Sequence, residues 1–426
     1  MGSNTAIRFL LYVKVLIMIK RNYTMSEILN WYTLNESISL CRQGKMWKDS
    51  MIDAVSWSDF YICELLEQLS SGMIIISDFW HSIIYERGKE RLLCSLKVMD
   101  RVEQKAINRN FLLPAFVPSL MRDNVASLEG RGMDDAIQRL TNHLRHAYNK
   151  HGLNFFIAKL DIKSYFDNIP HEPLYNMICT RTSDQMLLKY FETLFKKYKY
   201  DPFIHAGQFV DRGIGLGGEV PQTFGILCLN EVDHLIKEYY GIENFIRYMD
   251  DTIMVDSDIN KIQYVICVIK DLLWNKYGLQ LNEKKSTIVP ATEGVKFLKL
   301  HFHISDTGKI WISPNKKSVK MQRRKMIKMA DFVNHGIISY NDYKQSYNSY
   351  RGHLQRSNCY ELINLFDQLV EWYIMYEEPG QYDPLWLAID IANENNISLS
   401  DCGIITPKRK FKVEFGEGKT LPDSPQ

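Results

Sequence analysis

Apolar positions along the chain recur at helical spacing, then alternate, then return to helical spacing. The first 80 positions read mainly as amphipathic, aromatic-rich helices, for instance in SEILNWYTL and SDFYICELLEQL. From Ile83 to Ile107 the run IIYERGKERLLCSLKVMDRVEQKAI sets a basic turn, Arg87-Gly88-Lys89, between two strand-like stretches, and a helix follows. EGRGMDDAIQRL marks a glycine turn into another helix. The middle third alternates short strands with helices: FFIAKLDI is a strand, while PLYNMICTRT and DQMLLKYFETLFKKY are helical. A long helix is expected to start near Gln222, followed by a strand pair around Asp250 and Asp251 and a helix over 259–277. GVKFLKLHFHI and KIWISP read as a hairpin, and the chain from Asn315 to Tyr376 as helical and basic. The remainder, with Pro, Gly and short strands, reads as loosely ordered.

Composition narrows the class without naming a function. The 426 residues are 46% hydrophobic and 24% charged, with a net charge of +2, which fits two or three packed globular units. A near-neutral balance does not advertise a nucleic-acid partner, so any such surface has to be local. The eight cysteines are scattered, with no C-x-x-C and no Cys/His cluster, as expected of reduced thiols in a cytoplasmic protein. IRFLLYVKVLIMIK is interrupted by Lys14 and falls short of the roughly 20 apolar residues a membrane span needs. A buried helix or strand is the expectation there, and no membrane partner is expected.

Two adjacent aspartates, Asp250 and Asp251, interrupt the apolar run FIRYMDDTIMV. Either they form a solvated turn or a cation makes the pair favourable, because a buried carboxylate without a counter-charge is costly and two are worse. The same tripeptide occurs at Met133-Asp134-Asp135, but there it precedes AIQRL and suits the first turn of a helix. Asp161 ends the strand FFIAKL. Alone it could be a cap or an ion-pair partner. With Asp250 and Asp251 from a neighbouring strand, it makes an oxygen-rich set suited to Mg²⁺. Two such ions about 4 Å apart serve nucleotidyl transfer by stabilising the attacking and leaving oxygens.

At this point the motifs resemble those of reverse transcriptases. KLDIKSYFDNI resembles the first palm motif of that family and FIRYMDD its signature hairpin. RLLCSLKVMDRVEQKAI is similar to the fingers segment of the bacterial, non-LTR-like branch, and GIGLGGEVPQTFGILCLNEVD to the motif that begins the long palm helix. GLQLNEKKSTIV and VKFLKLHF resemble the two motifs that follow, in the family's order, from about Tyr85 to about Phe302. Gly215-Leu216-Gly217 stands where many relatives carry Pro-Gln-Gly, and Pro221-Gln222 where Ser-Gln is typical. That form, with SYNSYRGHLQRSNCYEL further on, is closest to diversity-generating retroelement and defence-associated (abortive-infection) enzymes.

The resemblance implies a fold and a set of roles. The fold is α+β, a right-hand polymerase with fingers, a palm bearing an antiparallel sheet, and a helical thumb. Its expected parts are a helical N-terminal region (1–80), fingers (81–150), palm (151–314), thumb (315–376) and a C-terminal extension (377–426). Asp161 and Asp250 would bridge two Mg²⁺ ions, with Mn²⁺ able to substitute. Asp251 would be a further ligand and Ile162 would offer its carbonyl. Phe166 matches the aromatic position beneath the incoming sugar, where a 2′-hydroxyl would collide with the ring; otherwise it is core. Lys89 and Arg91 would reach the triphosphate, or else they are solvated hairpin charges. Gln222 would lie near the nucleotide, Gly213 and Gly217 would permit close backbone approach, and Tyr248 precedes the aspartates at the substrate side. Lys285, with Lys284 as its competitor, resembles the lysine that protonates leaving pyrophosphate.

Lys316, Lys317, Lys320, Arg323, Arg324, Lys325 and Lys328 would grip phosphates from the thumb; the alternative is a solvated helix face. The implied activity is synthesis of cDNA from dNTPs on a dedicated structured non-coding RNA, in antiphage defence. The alternatives are a template-independent or protein-primed polymerase, or a nucleic-acid-binding scaffold with a vestigial site.

Overall fold

The computed structural model describes residues 21–86, 89–204 and 207–375. The apolar N-terminal run and the C-terminal extension therefore lie outside the described residues. The chain divides into two units, Met1–Leu298 with Phe302–Ile310, and Lys299–His301 with Trp311–Gln426. No helix among the described residues is long and apolar enough to cross a membrane.

Among the described residues, the first unit starts with four helices, α1 (Met25–Ile28), α2 (Trp31–Cys41), α3 (Asp49–Ser56) and α4 (Ser58–Ser70). SEILNWYTL is thus two helices rather than one. Asn30 breaks the run because its side chain accepts from Tyr32 N and Thr33 N as the N-cap of α2. A two-stranded antiparallel hairpin follows, β1 (Trp80–Glu86) and β2 (Lys89–Ser95), and then α5 (Val98–Ile107) and the short α6 (Leu113–Phe116). Next come α7 (Met133–His151), β3 (Phe156–Leu160), α8 (Tyr165–Asn168), α9 (His171–Cys179) and α10 (Gln185–Lys199). In α10, Tyr190, Phe191, Leu194, Phe195 and Tyr198 recur at helical spacing and are all buried; Phe195 stacks on Phe224 at 5.5 Å.

The helix expected near Gln222 starts three residues earlier. It runs as α11 (Glu219–Leu227), is interrupted at Cys228 and Leu229, and resumes as α12 (Asn230–His234). Then come β4 (Asn244–Tyr248), β5 (Asp251–Asp256), α13 (Ile259–Leu272) and β6 (Thr287–Pro290). The main sheet has the order β4-β5-β3-β6, with every pair antiparallel. Within it Ile157, Ala158, Phe245, Ile246, Ile253 and Met254 are all buried.

The expected hairpin after β6 is a three-stranded sheet, β7 (Val295–Phe297), β8 (Leu300–Ile304) and β9 (Ile310–Pro314). Leu298 and Lys299 both take positive φ, 49° and 66°, so the chain reverses inside what reads as one strand. The second unit contains α14 (Lys316–Asn334), α15 (Tyr340–Leu354) and α16 (Tyr360–Met375). Their core is Val319, Met326, Ala330, Tyr343, Tyr347, Leu354, Phe366 and Leu369, and Arg351 holds Asp367 through both carboxylate oxygens.

One glycine decides how the β1–β2 hairpin attaches. Leu216 pairs with Leu93 in parallel, and its carbonyl accepts from Cys94 N at 2.7 Å. Gly217, at φ 138°, brings its Cα so close that an added Cβ would stand 2.6 Å from the Cys94 carbonyl oxygen. Backbone on both sides leaves nothing to yield. Gly217→Ala is expected to lose about 2–4 kcal/mol of stability in urea denaturation; an unchanged midpoint would contradict this packing.

Candidate active site

The sheet order brings three carboxylates to one edge. Leu160, the last residue of β3, pairs with Thr252 of β5, so Asp161 emerges beside the β4–β5 turn. Tyr248 pairs with Asp251, which leaves Met249 and Asp250 as a two-residue turn. Met249 adopts φ 56°, a position that hairpins usually give to glycine, and a larger residue there costs about 1–3 kcal/mol. The segment after α13 closes the other side. Asn282 N donates to the Asp161 carbonyl at 2.7 Å, Lys163 N donates to the Gln280 carbonyl at 2.9 Å, and Ile162 bridges Leu281. This pairing carries Lys285 and Ser286 onto Asp161.

Asp161 is 5% exposed, and its carboxylate oxygens each accept from Lys285 Nζ at 2.9 Å. Its backbone N donates to Ser286 Oγ at 3.2 Å. Lys159 Nζ lies 3.1 Å from Asp251 Oδ1, an ion pair without hydrogen-bond alignment, and donates to the Lys296 carbonyl instead. Asp251 Oδ1 is thus buried without a donor. Burial, then the charges of Asp251 and Asp161, push the Asp250 carboxyl up to about 6 against the opposing pull of Lys285.

Hard carboxylate oxygens, one of them lacking a donor and another held above its ordinary range by burial and like charge, fit a divalent cation. Among the described residues, no three His, Cys, Asp or Glu side chains stand close enough to enclose a metal. The donor set therefore fits a cation whose shell is completed by water and substrate phosphate. Lys285, expected at the leaving pyrophosphate, pairs with Asp161, with its side chain half exposed.

The neighbouring wall is built by α8 and α11. Ser164, at φ 46°, turns the chain so that Tyr165 donates to the Gly225 carbonyl at 2.7 Å while Phe166 lies half-buried above Gly225. An added Cβ on Gly225 would stand 3.2 Å from the Phe166 ring and 3.6 Å from Met249 Sδ, so the ring and the aspartate turn share one seat. Phe166 therefore packs against core and borders the site at once. Gln222 is exposed on α11, Tyr248 is half-buried, and Gly213 takes φ 85°. Arg91 is exposed on β2; Lys89 is on the same strand, and its side chain lies outside the described residues.

In the second unit Lys316, Lys317, Arg324, Lys325 and Lys328 are exposed on α14, while Lys320 and Arg323 are half-buried. Arg323 Nε donates to Tyr373 Oη at 3.2 Å, so this residue braces the helices rather than lying wholly open to phosphate.

Asp134 and Asp135 occupy the first turn of α7, and Asp135 holds Arg139 at 2.9 and 3.0 Å. That pair is structural. Three residues around the site were missed in the sequence: Lys159, Gly225 and Arg247. The last had a visible signal, an arginine inside the apolar run FIRY, because such a charge requires a buried acid. Its partner is Asp233 of α12.

The family model described as Reverse transcriptase (RNA-dependent DNA polymerase) matches residues 81–302. No curated protein matches the sequence. Among solved structures, apo telomerase from Candida tropicalis truncated from its C-terminal domain is 16% identical, with 57% of this chain and 58% of that chain covered and a TM-score of 0.40. Telomerase from Candida albicans in complex with a TWJ fragment of telomeric RNA is 14% identical, covering 81% and 69%, with a TM-score of 0.41. This chain thus spans under two thirds of the truncated enzyme, and likeness at these scores adds nothing to the family match.

The electrostatics have a direct consequence for stability. An acid whose folded pKa lies above its unfolded value of 3.8 binds its proton more tightly when folded, so stability falls as pH rises from about 4 to about 6 and stays lower above. In chelator, Asp250→Asn should therefore exceed the parent in urea stability at pH 7.5 by up to about 2–3 kcal/mol. The difference should shrink toward pH 4. Equal stability across that range would contradict the crowding of carboxylates.

Proposed function

This chain belongs to the reverse transcriptase family, whose model covers a little over half of it, and we propose that it is an RNA-directed DNA polymerase making cDNA from dNTPs. The observation that carries the reading is the convergence of Asp161, Asp250 and Asp251 at one edge of the sheet, beside the Phe166 ring on Gly225. Divalent cations, Mg²⁺ or in its place Mn²⁺, would be held by these three carboxylates and the Ile162 carbonyl, and would supply charge stabilisation to the transferring phosphate. The chain's own residues do the rest. Phe166 lies where a 2′-hydroxyl would meet its ring, which favours deoxynucleotides. Lys285, paired with Asp161, would be the residue available to protonate the departing pyrophosphate. Lys89 and Arg91 of the hairpin would meet the triphosphate, Gln222 and Tyr248 would border the nucleotide, and the exposed cations of α14 would grip the duplex backbone.

The template we propose is a dedicated structured non-coding RNA, and the role antiphage defence, in the cytoplasm. Both follow from the GIGLGGEVPQ and SYRGHL motif forms, which are closest to the retroelement and abortive-infection enzymes. On the same grounds we retain the divisions at residues 80, 150, 314 and 376 as fingers, palm and thumb limits.

Purified protein carrying Asp250→Ala and Asp251→Ala is expected to lose dNTP incorporation by at least about a thousandfold, since such sites depend on electrostatic stabilisation. Incorporation at the parent rate would end the polymerase reading. Phe166→Ala should admit ribonucleotides while retaining deoxynucleotide incorporation, and unchanged discrimination would remove the ring from sugar selection. Sequencing of copurifying nucleic acid should return one discrete RNA with DNA complementary to it; a random RNA population would refute the dedicated template.

A further inference from the structure

Arg247 is 1% exposed, sits one residue before Tyr248 of the signature hairpin, and uses four of its five donors. Nε and Nη2 hold the two oxygens of Asp233 at 2.6 and 2.7 Å, and Asp233 is itself fully buried. Nη2 also donates to the Ile226 carbonyl at 2.8 Å, and Nη1 to the Met249 carbonyl at 2.9 Å. The Arg247 backbone cannot drift, because its N donates to the Asp123 carbonyl at 2.9 Å and its carbonyl accepts from Val125 N at 3.0 Å. On its other edge Arg247 pairs with Thr252 in the sheet.

These contacts reach both walls of the site. Met249 is the positive-φ residue of the turn that presents Asp250. Ile226 follows Gly225, the seat of the Phe166 ring. One guanidinium therefore ties the carboxylate turn to the aromatic wall, across a gap that no backbone pairing spans.

We propose that Arg247 and Asp233 are the positioning pair of the active site, setting the distance between the Asp250 carboxyl and the sugar seat on Phe166. The inference rests on the polymerase reading of the same site. Neither residue touches a reacting atom; they act through Met249 and Ile226. Lysine cannot replace the arginine, because a single ammonium cannot hold a carboxylate at two points while reaching two carbonyls that lie in different directions. The pair is also costly to bury, so a simple apolar pairing would stabilise the fold as well without fixing the turn.

The test is single-turnover incorporation, with Mn²⁺ binding to the nucleotide-free protein followed by electron paramagnetic resonance. Arg247→Lys should still unfold cooperatively in urea, yet its maximal incorporation rate should fall about 30- to 100-fold. The dNTP concentration for half-maximal rate should change less than threefold, and Mn²⁺ affinity should drop several-fold. Asp233→Asn should act in the same direction and more weakly. Glycine relieves the positive φ, so Met249→Gly added to Arg247→Lys should recover about tenfold of the lost rate, which a merely structural role does not predict. Asp135→Asn, which breaks an ion pair elsewhere, should leave the rate within twofold.

Parent-level rates in folded Arg247→Lys would overturn the proposal, as would a loss confined to dNTP affinity or a failure of glycine to rescue. If Arg247→Lys does not fold, Asp233→Asn and its combination with Met249→Gly decide by the same criteria. If the parent protein incorporates no nucleotide, the polymerase reading fails on its own account. Mn²⁺ binding then decides the pairing: unchanged affinity in both variants sinks it.

Discussion

Like charge gathered in a place with little water is the constraint around which this molecule is arranged. Asp161, Asp250 and Asp251 meet at one edge of the sheet, and burial together with their repulsion raises one carboxyl to about 6. A fold tolerates this only if opposing charge and rigid geometry are supplied locally. The opposing charge comes from Lys285 on Asp161 and Lys159 beside Asp251, two lysines brought in by different segments. The rigidity comes from the far side, where the Arg247–Asp233 pair holds the turn by its carbonyl. Removing one partner of such a buried pair costs about 3–5 kcal/mol, which is why the turn can keep a methionine where glycine would be relaxed.

The helices around the sheet follow from the same need. α11 has to end near the turn so that its last carbonyls face Arg247, and it does: the helix is interrupted at Cys228 and Leu229, and α12 then delivers Asp233. Gly225 lies just before that interruption and leaves room for Phe166. The β1–β2 hairpin is hydrogen-bonded to the glycine-rich stretch that leads directly into α11, so the two parts meet on one segment. Glycines at 217 and 225 thus mark close approaches of two different kinds, a backbone contact and a ring.

What could be read from the chain beforehand divides along sequence distance. β3, the β4–β5 hairpin and the helices rich in periodic apolar residues were legible because period and turn chemistry are local. The break at Asn30 and the reversal at Leu298-Lys299 were not, because the first rests on side-chain capping and the second on positive φ in residues with no preference for it; the start of α11 at Glu219 rather than near Gln222 has no side-chain cap to mark it. Asp161, Asp250 and Asp251 were visible as candidates, but their lysine partners lie far along the chain, Lys285 from Asp161 and Lys159 from Asp251. Arg323 looked like one of seven equivalent cations on a basic helix; only packing against Tyr373 distinguishes it.

The two Met-Asp-Asp tripeptides carry the same atoms to opposite ends. In α7 the aspartates face unsatisfied backbone N–H groups at a helix start, and Asp135 meets Arg139 one turn later, so their charge is compensated within their own element. Between β4 and β5 there is no helix dipole, and nothing within the hairpin's own turn offers a counter-charge. Compensation has to come from across the fold, through lysines that can let go and an arginine that cannot. An exchangeable partner on the carboxylate oxygens and a fixed one on the backbone behind them are what separate a site that can take up cations from a well-satisfied helix start.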